Sequence, residues 1–396
     1  MKNWDSIVVG GGPAGLAAGI ALRQKGLRVL VADALKPPID KACGEGLMPD
    51  SRRELAQLGI DLSDADGVEF EGIHFASHVL GGDSDSGHSV TGTFQGGRGL
   101  GVRRLHLHAQ MVQRASEIGV ELAWGSRVEL IEGQPLRIDG HGATSAYVIG
   151  ADGQSSRVRK WAGLGSGQLI SRRFGFRQHY RTNPWSRHVE VHWGARGQLY
   201  VTPVGEDEVG IAALTRFPGL TFDDIVQDVP FLRQKLESTP VSTRLRGSMT
   251  TTRKFDRVTA ATPAGSVALI GDASGSADAI TGEGLAMAFR QALLLADSIY
   301  AGGLDRYQAG HAATLKLPQA MARVMLALDR WTWFRDRAMH MLAADPAMFA
   351  RMLAVHLGEE SVESFLLHRG CRLAWRMIVP ASTLHPSVQG PLSGLN

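Results

Sequence analysis

Apolar and polar positions follow two rhythms along this chain, and the change of rhythm marks a change of architecture. Ile7-Val8-Val9, Tyr147-Val148-Ile149 and Val267-Ala268-Leu269-Ile270 are short unbroken apolar runs, the pattern of strands buried on both faces of a parallel sheet. The first leads into Gly10-Gly11-Gly12-Pro13-Ala14-Gly15 and a helix of small residues from Leu16 to Lys25, which Gly26 stops. Leu27 to Asp33 reads as the next strand, completing a β-α-β unit. Helical spacing returns over Ser51 to Leu58, Leu105 to Ile118 and Gly284 to Ile299, with strands expected at Glu69 to Phe75, Val120 to Leu122 and Val128 to Ile131. Phe174 to Tyr180, Val189 to Trp193, Gln198 to Pro203 and Val209 to Leu214 instead alternate with period two, as a β-meander does. Gly81 to Gly101, rich in Gly, Ser and Asp, reads as strands with exposed turns, and the tail from about Leu304 as helices rich in Met, Trp and Leu.

This order predicts an α/β protein in which a Rossmann-like domain is interleaved with a β-meander domain and followed by a helical segment. The expected division gives 1–75, 100–165 and 255–300 to the first, 76–99 and 166–254 to the second, and 301–396 to the helices. Composition changes the picture little. With 42 Lys and Arg against 39 Asp and Glu, nothing calls for a nucleic-acid partner. Two cysteines, Cys43 and Cys371, make no disulfide framework in 396 residues, so a reducing, cytoplasmic setting is expected. No apolar stretch is long enough to cross a bilayer, which limits expected membrane contact to a peripheral kind. The oligomeric state is not legible.

Candidate chemistry begins at Gly10-x-Gly12-x-x-Gly15. A side chain here would keep a pyrophosphate from the backbone amides and the helix N-terminus that Pro13 and Ala14 open. Asp33 ends the following strand, where a carboxylate accepts hydrogen bonds from ribose hydroxyls. A second motif, Gly150-Ala151-Asp152-Gly153 continuing to Arg159, follows a buried strand; its plainer reading is an Asp-capped turn. A third joins Gly271-Asp272-Ala273 to Thr281-Gly282-Glu283-Gly284, a strand-end carboxylate followed by a Gly-rich turn opening a helix. The helix end offers partial positive charge, which favours an anionic group. No Lys follows the glycines, as a phosphate loop of the P-loop kind would need.

Together these motifs resemble the FAD-dependent monooxygenase superfamily with the p-hydroxybenzoate hydroxylase-like fold, and within it the branch shared with geranylgeranyl reductases and flavin-dependent halogenases. The resemblance runs from about Asp5 to about Tyr300. It implies bound FAD, with Asp152 and Gly153 in the GADGxxSxVR segment, Asp272 at the ribityl chain, and Gly282, Glu283 and Gly284 beside the flavin. Gly101 to His108 resembles the RxxLxxxL segment, which implies Arg104 near the FAD pyrophosphate, against the plainer reading of a solvated helix start. Ala42 to Leu47 resembles the CGxGL loop of the reductase branch, which passes near the flavin ring. Cys43 then contacts flavin or gates substrate, or is an inert half-buried thiol, and Glu45 is an acid or base candidate. Ser274-Gly275 and Ala279-Ile280 depart from the hydroxylase pattern. Trp331-Thr332-Trp333 shares only the WxW spacing of a halogenase motif, in the wrong place, and reads as helix core. Met321 to Met341 reads as a packed helix face, with a cavity wall or a membrane surface as the alternatives. His188 with His192, and His106 with His108, lack the further ligands a metal site needs.

Arg177 and His179 share one face of the Phe174–Tyr180 strand and are catalytic candidates, with Gln178 and Tyr180 on the other. The Val189–Gly194 and Tyr200–Gly205 segments resemble bacterial flavoprotein hydroxylases of polyketide and phenolic-lipid pathways. The expected activity is therefore NADH- or NADPH-dependent hydroxylation of a small, apolar, aromatic substrate. Saturation of a carbon–carbon double bond is the rival, and halogenation or FAD-binding without turnover lie behind it.

Overall fold

A computed structural model of the chain describes residues 3–78, 88–131, 134, 136–165, 167–262, 265–365 and 367. The apolar runs form one six-stranded sheet, in the order Thr259–Thr262, Gly265–Leu269, Thr144–Gly150, Asn3–Val9, Val29–Asp33 and Glu121–Trp124. All pairings are parallel except the antiparallel edge between the first two. Ile7, Val8, Val31, Ile149 and Val267 are fully buried, in one apolar cluster with residues of the helices and with Val128, Leu136 and Ala143. The helices Pro13–Gln24, Arg104–Glu117 and Gly284–Tyr300 match the helical spacing expected for them. The fold class is the expected α/β one.

The period-two segments form a seven-stranded sheet: Val241–Lys254, Gln168–Arg181, Glu208–Thr215, Gln198–Gly205, Val189–Trp193, Gly72–Ser77 and Ser89–Thr93. One expectation fails here. Glu69 to Phe75 is not a single strand: Val68–Phe70 joins a small sheet with Gly46–Leu47 and Gly99–Gly101, while Gly72–Ser77 pairs in parallel with Val189–Trp193. An expected boundary at residue 75 thus falls inside a strand of the meander sheet. The physical reason is nonlocal, since the parallel partner lies more than a hundred residues away and no local pattern announces it. Part of the Gly81–Gly101 expectation, and the tail beyond 367 with Cys371, lie outside the described residues.

The helices Asp305–Arg330, Thr332–Ala344 and Pro346–His356 pack on the meander sheet. Met339, Leu342, Phe349 and Leu353 bury against Phe70, Ile73, Val191 and Trp193 in one cluster. Trp331 and Trp333 are not helix core: they are 52% and 67% exposed at the junction of two helices. The opposite face of that junction already holds Phe334, Ala338 and Met339, so the tryptophans are turned outward. No helix among the described residues is long and apolar enough to cross a membrane.

Candidate active site

The parallel sheet changes direction at Asn3–Val9, which has Val29–Asp33 on one side and Thr144–Gly150 on the other. Loops leaving neighbouring strands diverge there and open a crevice at their C-terminal ends. A cavity of about 730 Å³ occupies it. Gly10, Gly12, Pro13 and Ala14 line it beside Asp33, Arg104, Asp152, Gly153, Asp272, Gly282 and Gly284, so three distant motifs converge on one cleft.

The first turn is built for close approach. A Cβ on Gly15 would lie 1.8 Å from the Gly10 carbonyl oxygen, so Gly15 lets the helix pack on the turn rather than lining the cleft itself. At Gly12 a Cβ would meet nothing within 4 Å; its space belongs to the cleft. Gly12 caps the helix without a side-chain bond, and no acid stands in the first turn, which leaves the helix N-terminus open to an anion. Asp33 fixes the turn, its two oxygens accepting from the backbone N–H of Gly11 at 2.7 Å and of Leu35 at 2.8 Å. His108 donates through Nε2 to the Gly11 carbonyl at 2.9 Å, and burial holds its ring below the ordinary histidine range, in the neutral form. His106 instead bonds Asp66 and His192 bonds Glu190, so the histidine pairs of the sequence serve separate contacts.

Arg104 is not a solvated helix start. Only 9% of it is exposed, and its Nε is buried without a partner. A buried guanidinium beside an open helix N-terminus suits a diphosphate. Asp272 also lines the cleft and pairs with Lys41 at 2.8 Å. The cleft therefore offers both anion-binding groups and carboxylates, and its volume and donors fit FAD.

Two expected site residues behave differently. Asp152 directs its oxygens at Ser156 Oγ and the Arg157 and Val158 amides, at 2.5, 2.6 and 3.1 Å, so its carboxylate organises the helix Arg157–Trp161 while the residue borders the cleft. Glu283 does not line the cleft: its side chain is buried on the far side of the turn, facing His356 at 3.7 Å. Sequence reasoning passed over Arg159, which is buried and donates to the carbonyls of Ala273 and Gln154 at 2.9 and 2.8 Å. It ties the second motif to the third.

Glu45, Arg177 and His179 come together, though 132 and 134 positions separate them. The Glu45 carboxylate accepts from the Arg104 amide at 2.8 Å, Arg177 Nη1 at 3.0 Å and His179 Nε2 at 2.5 Å. Arg177 also pairs with Asp40 at 2.6 Å, and His179 Nδ1 meets Thr243 Oγ1 at 2.5 Å. With every partner inside the protein, this cluster anchors the Cys43–Leu47 loop. It is strong enough to hold Glu45 at a positive φ of 60°, a backbone state costly for a non-glycine residue.

Beyond the loop lies a second cavity of about 340 Å³. Phe70, Ile73 and Val191 wall it from the sheet, and Met325, Met341 and Leu353 close it from the C-terminal helices. The Met-rich helices thus form the expected packed face and, at Met321, Met325 and Met341, a cavity wall as well. Cys43, Gly44, Tyr200, Gly282 and Leu285 border both cavities, and Cys43 Sγ accepts from the Glu45 amide at 3.4 Å.

Known proteins place this arrangement. The menaquinone reductase of Mycobacterium tuberculosis is 30% identical over 230 residues, 53% of this chain and 55% of that protein, so the match spans about half the length of that relative. The 12-dehydrotetracycline 5-monooxygenase/anhydrotetracycline 6-monooxygenase of Streptomyces rimosus is 29% identical, over 41% of this chain and 33% of its own. Among solved structures, a flavoprotein/dehydrogenase from Cytophaga hutchinsonii shares the fold with a TM-score of 0.75 at 14% identity, over 95% of this chain and 99% of that one. The model of the FAD binding domain matches residues 3–302, and this chain belongs to that FAD-binding family.

Proposed function

We propose that this chain is an NAD(P)H-dependent monooxygenase that hydroxylates a small apolar aromatic compound. The observation that carries the reading is the second cavity: apolar, and joined to the flavin cleft at Cys43, Tyr200 and Gly282. Bound FAD supplies the redox chemistry, accepting hydride from a nicotinamide and activating O2 for transfer. The chain's residues do the rest. The turn at Gly12, the helix N-terminus it caps and Arg104 hold the pyrophosphate, Asp33 the adenosine ribose, and Asp272 the ribityl chain. Gly282 and Gly284 open the helix Gly284–Tyr300, whose amides favour negative charge on the flavin's pyrimidine edge. The helical roof excludes water, which would otherwise divert activated oxygen to peroxide. The nicotinamide binds transiently, as the sequence carries a single dinucleotide turn. The cavities suit a small molecule, and two cysteines in 396 residues favour a reducing, cytoplasmic setting.

The test is turnover under isotopically labelled O2, where one labelled oxygen atom in the product is expected. One observation favours a second reading, reduction of a double bond or quinone: the Cys43–Leu47 loop of the reductase type borders the substrate cavity, in a chain similar to a menaquinone reductase. Product formed anaerobically by stoichiometric reduced enzyme, two hydrogens heavier and without added oxygen, would decide for it.

A further inference from the structure

The second cavity is lined by six polar side chains, and five already make hydrogen bonds within the protein. Tyr200 donates to the Ile280 carbonyl at 2.7 Å, Thr202 to that of Gly44 at 2.8 Å, and Thr281 to that of Asp278 at 3.1 Å. Glu45 accepts from three donors, and Cys43 accepts from the Glu45 amide. The sixth is His356, the last residue of the helix Pro346–His356. It is 8% exposed, and its Nδ1 is buried with no partner.

Behind it stands Glu283. Its Oε1 lies 3.7 Å from His356 Nε2, and neither carboxylate oxygen makes a hydrogen bond of good geometry. The nearby cation Arg290 is committed elsewhere: its Nε bonds Glu54 at 2.5 Å and its Nη2 pairs with Asp50. Burial pushes the Glu283 carboxyl above the ordinary range, so this acid gains from any donor that reaches it. A buried polar side chain without a partner is costly, and the cost is recovered when a ligand supplies the missing bond.

We propose that His356, backed by Glu283, is the polar anchor of the substrate cavity and binds a hydroxyl group on an otherwise hydrocarbon ligand. With Nε2–H turned toward the Glu283 carboxylate, Nδ1 is left as an acceptor, and an acceptor calls for an O–H donor. The ligand class is then a phenol or alcohol with an apolar body, rather than its ether or ketone counterpart. The carbon skeleton packs among Phe70, Met325 and Leu353, with the hydroxyl at the His356 end. This deepens the reading above, since it rests on assigning the second cavity to substrate.

The experiment uses oxidised, fully flavin-loaded protein titrated with p-octylphenol and with its methyl ether, binding being read from the change in flavin absorbance. A net hydrogen bond of ordinary strength gives the phenol roughly five- to tenfold tighter binding than the ether. His356→Leu should erase that preference while leaving FAD content and ether affinity unchanged, and His356→Asn, which keeps an acceptor, should restore part of it. Equal binding of the two probes by the wild type, or a preference that survives in His356→Leu, would overturn the anchor. So would a failure of both probes to perturb the flavin of loaded protein. Oxygen labelling is scored separately: a phenol preference without oxygen insertion leaves the anchor standing and removes only the hydroxylase reading.

Discussion

Replacing Arg104 with methionine should move the apoprotein and the holoprotein in opposite directions. The guanidinium is buried, its Nε lacks a partner, and no carboxylate among the described residues forms an ion pair with it. Methionine keeps the unbranched stem and helix propensity. It also keeps the backbone N–H that donates to Glu45, so the loop anchor survives. In the flavin-free protein the change removes a buried donor left unsatisfied, worth about 1–3 kcal/mol, and stability should rise by a fraction of that. In the loaded protein it removes a charge-assisted bond to the pyrophosphate worth about 1.5–3 kcal/mol, so the FAD dissociation constant should rise roughly 10- to 150-fold. The assay is urea unfolding of the deflavinated protein, paired with FAD titration followed by flavin fluorescence quenching. A variant that binds FAD as tightly as wild type, or whose apoprotein is less stable, would refute the assignment.

Two further perturbations probe other parts of the cleft and core. Asp272→Ala should leave the fold intact and weaken FAD retention at least tenfold, since the ribityl hydroxyls lose a charged acceptor worth about 1.5–3 kcal/mol; gel filtration with flavin quantitation would show unchanged retention if the carboxylate plays no part. His311 is buried against Ser274 and Gln291, and burial lowers it from 6.5 to about 4. The unfolded chain therefore takes up the proton first as pH falls. The neutral ring's contribution is complete above about 6.5 and is lost toward 4, at up to about 1.4 kcal/mol per pH unit. Denaturant midpoints measured from pH 7 to pH 5 should fall in the wild type, with a shallower slope in His311→Gln; parallel slopes would exclude the residue.

The dinucleotide half of the molecule was legible because its constraints are local. A buried strand, a glycine turn and a small-residue helix must follow one another in the chain, so Gly10 to Asp33 announces itself, and Tyr147–Gly153 and Val267–Asp272 do so in the same way. The long strand Val241–Lys254 went unread because its Thr, Ser and Arg residues show no apolar alternation; it forms by pairing along Gln168–Arg181. Arg177 and His179 were visible as one strand face, but Glu45, the residue that collects them, belongs to a loop brought there only by tertiary contacts. Trp331 and Trp333 misled because bulk and apolarity give no direction, and the neighbouring residues took the inward positions. His356 carries no motif at all. Its environment is made by a helix and a turn 73 positions apart in the chain, as the numbering of Glu283 and His356 records.

The two cavities also differ in how early the chain can complete them. Residues lining the flavin cleft end at Ala288, whereas those enclosing the second cavity run on to His356. Domains tend to fold as units from the N-terminus while synthesis proceeds. The cofactor site is therefore fully encoded while the roof of the other cavity is still being made. Until the roof docks, Phe70, Ile73 and Val191 present an uncovered apolar face, a liability for association between nascent chains. Cofactor capture at that stage would stabilise the first sheet by mass action and hold the platform on which the last helices settle.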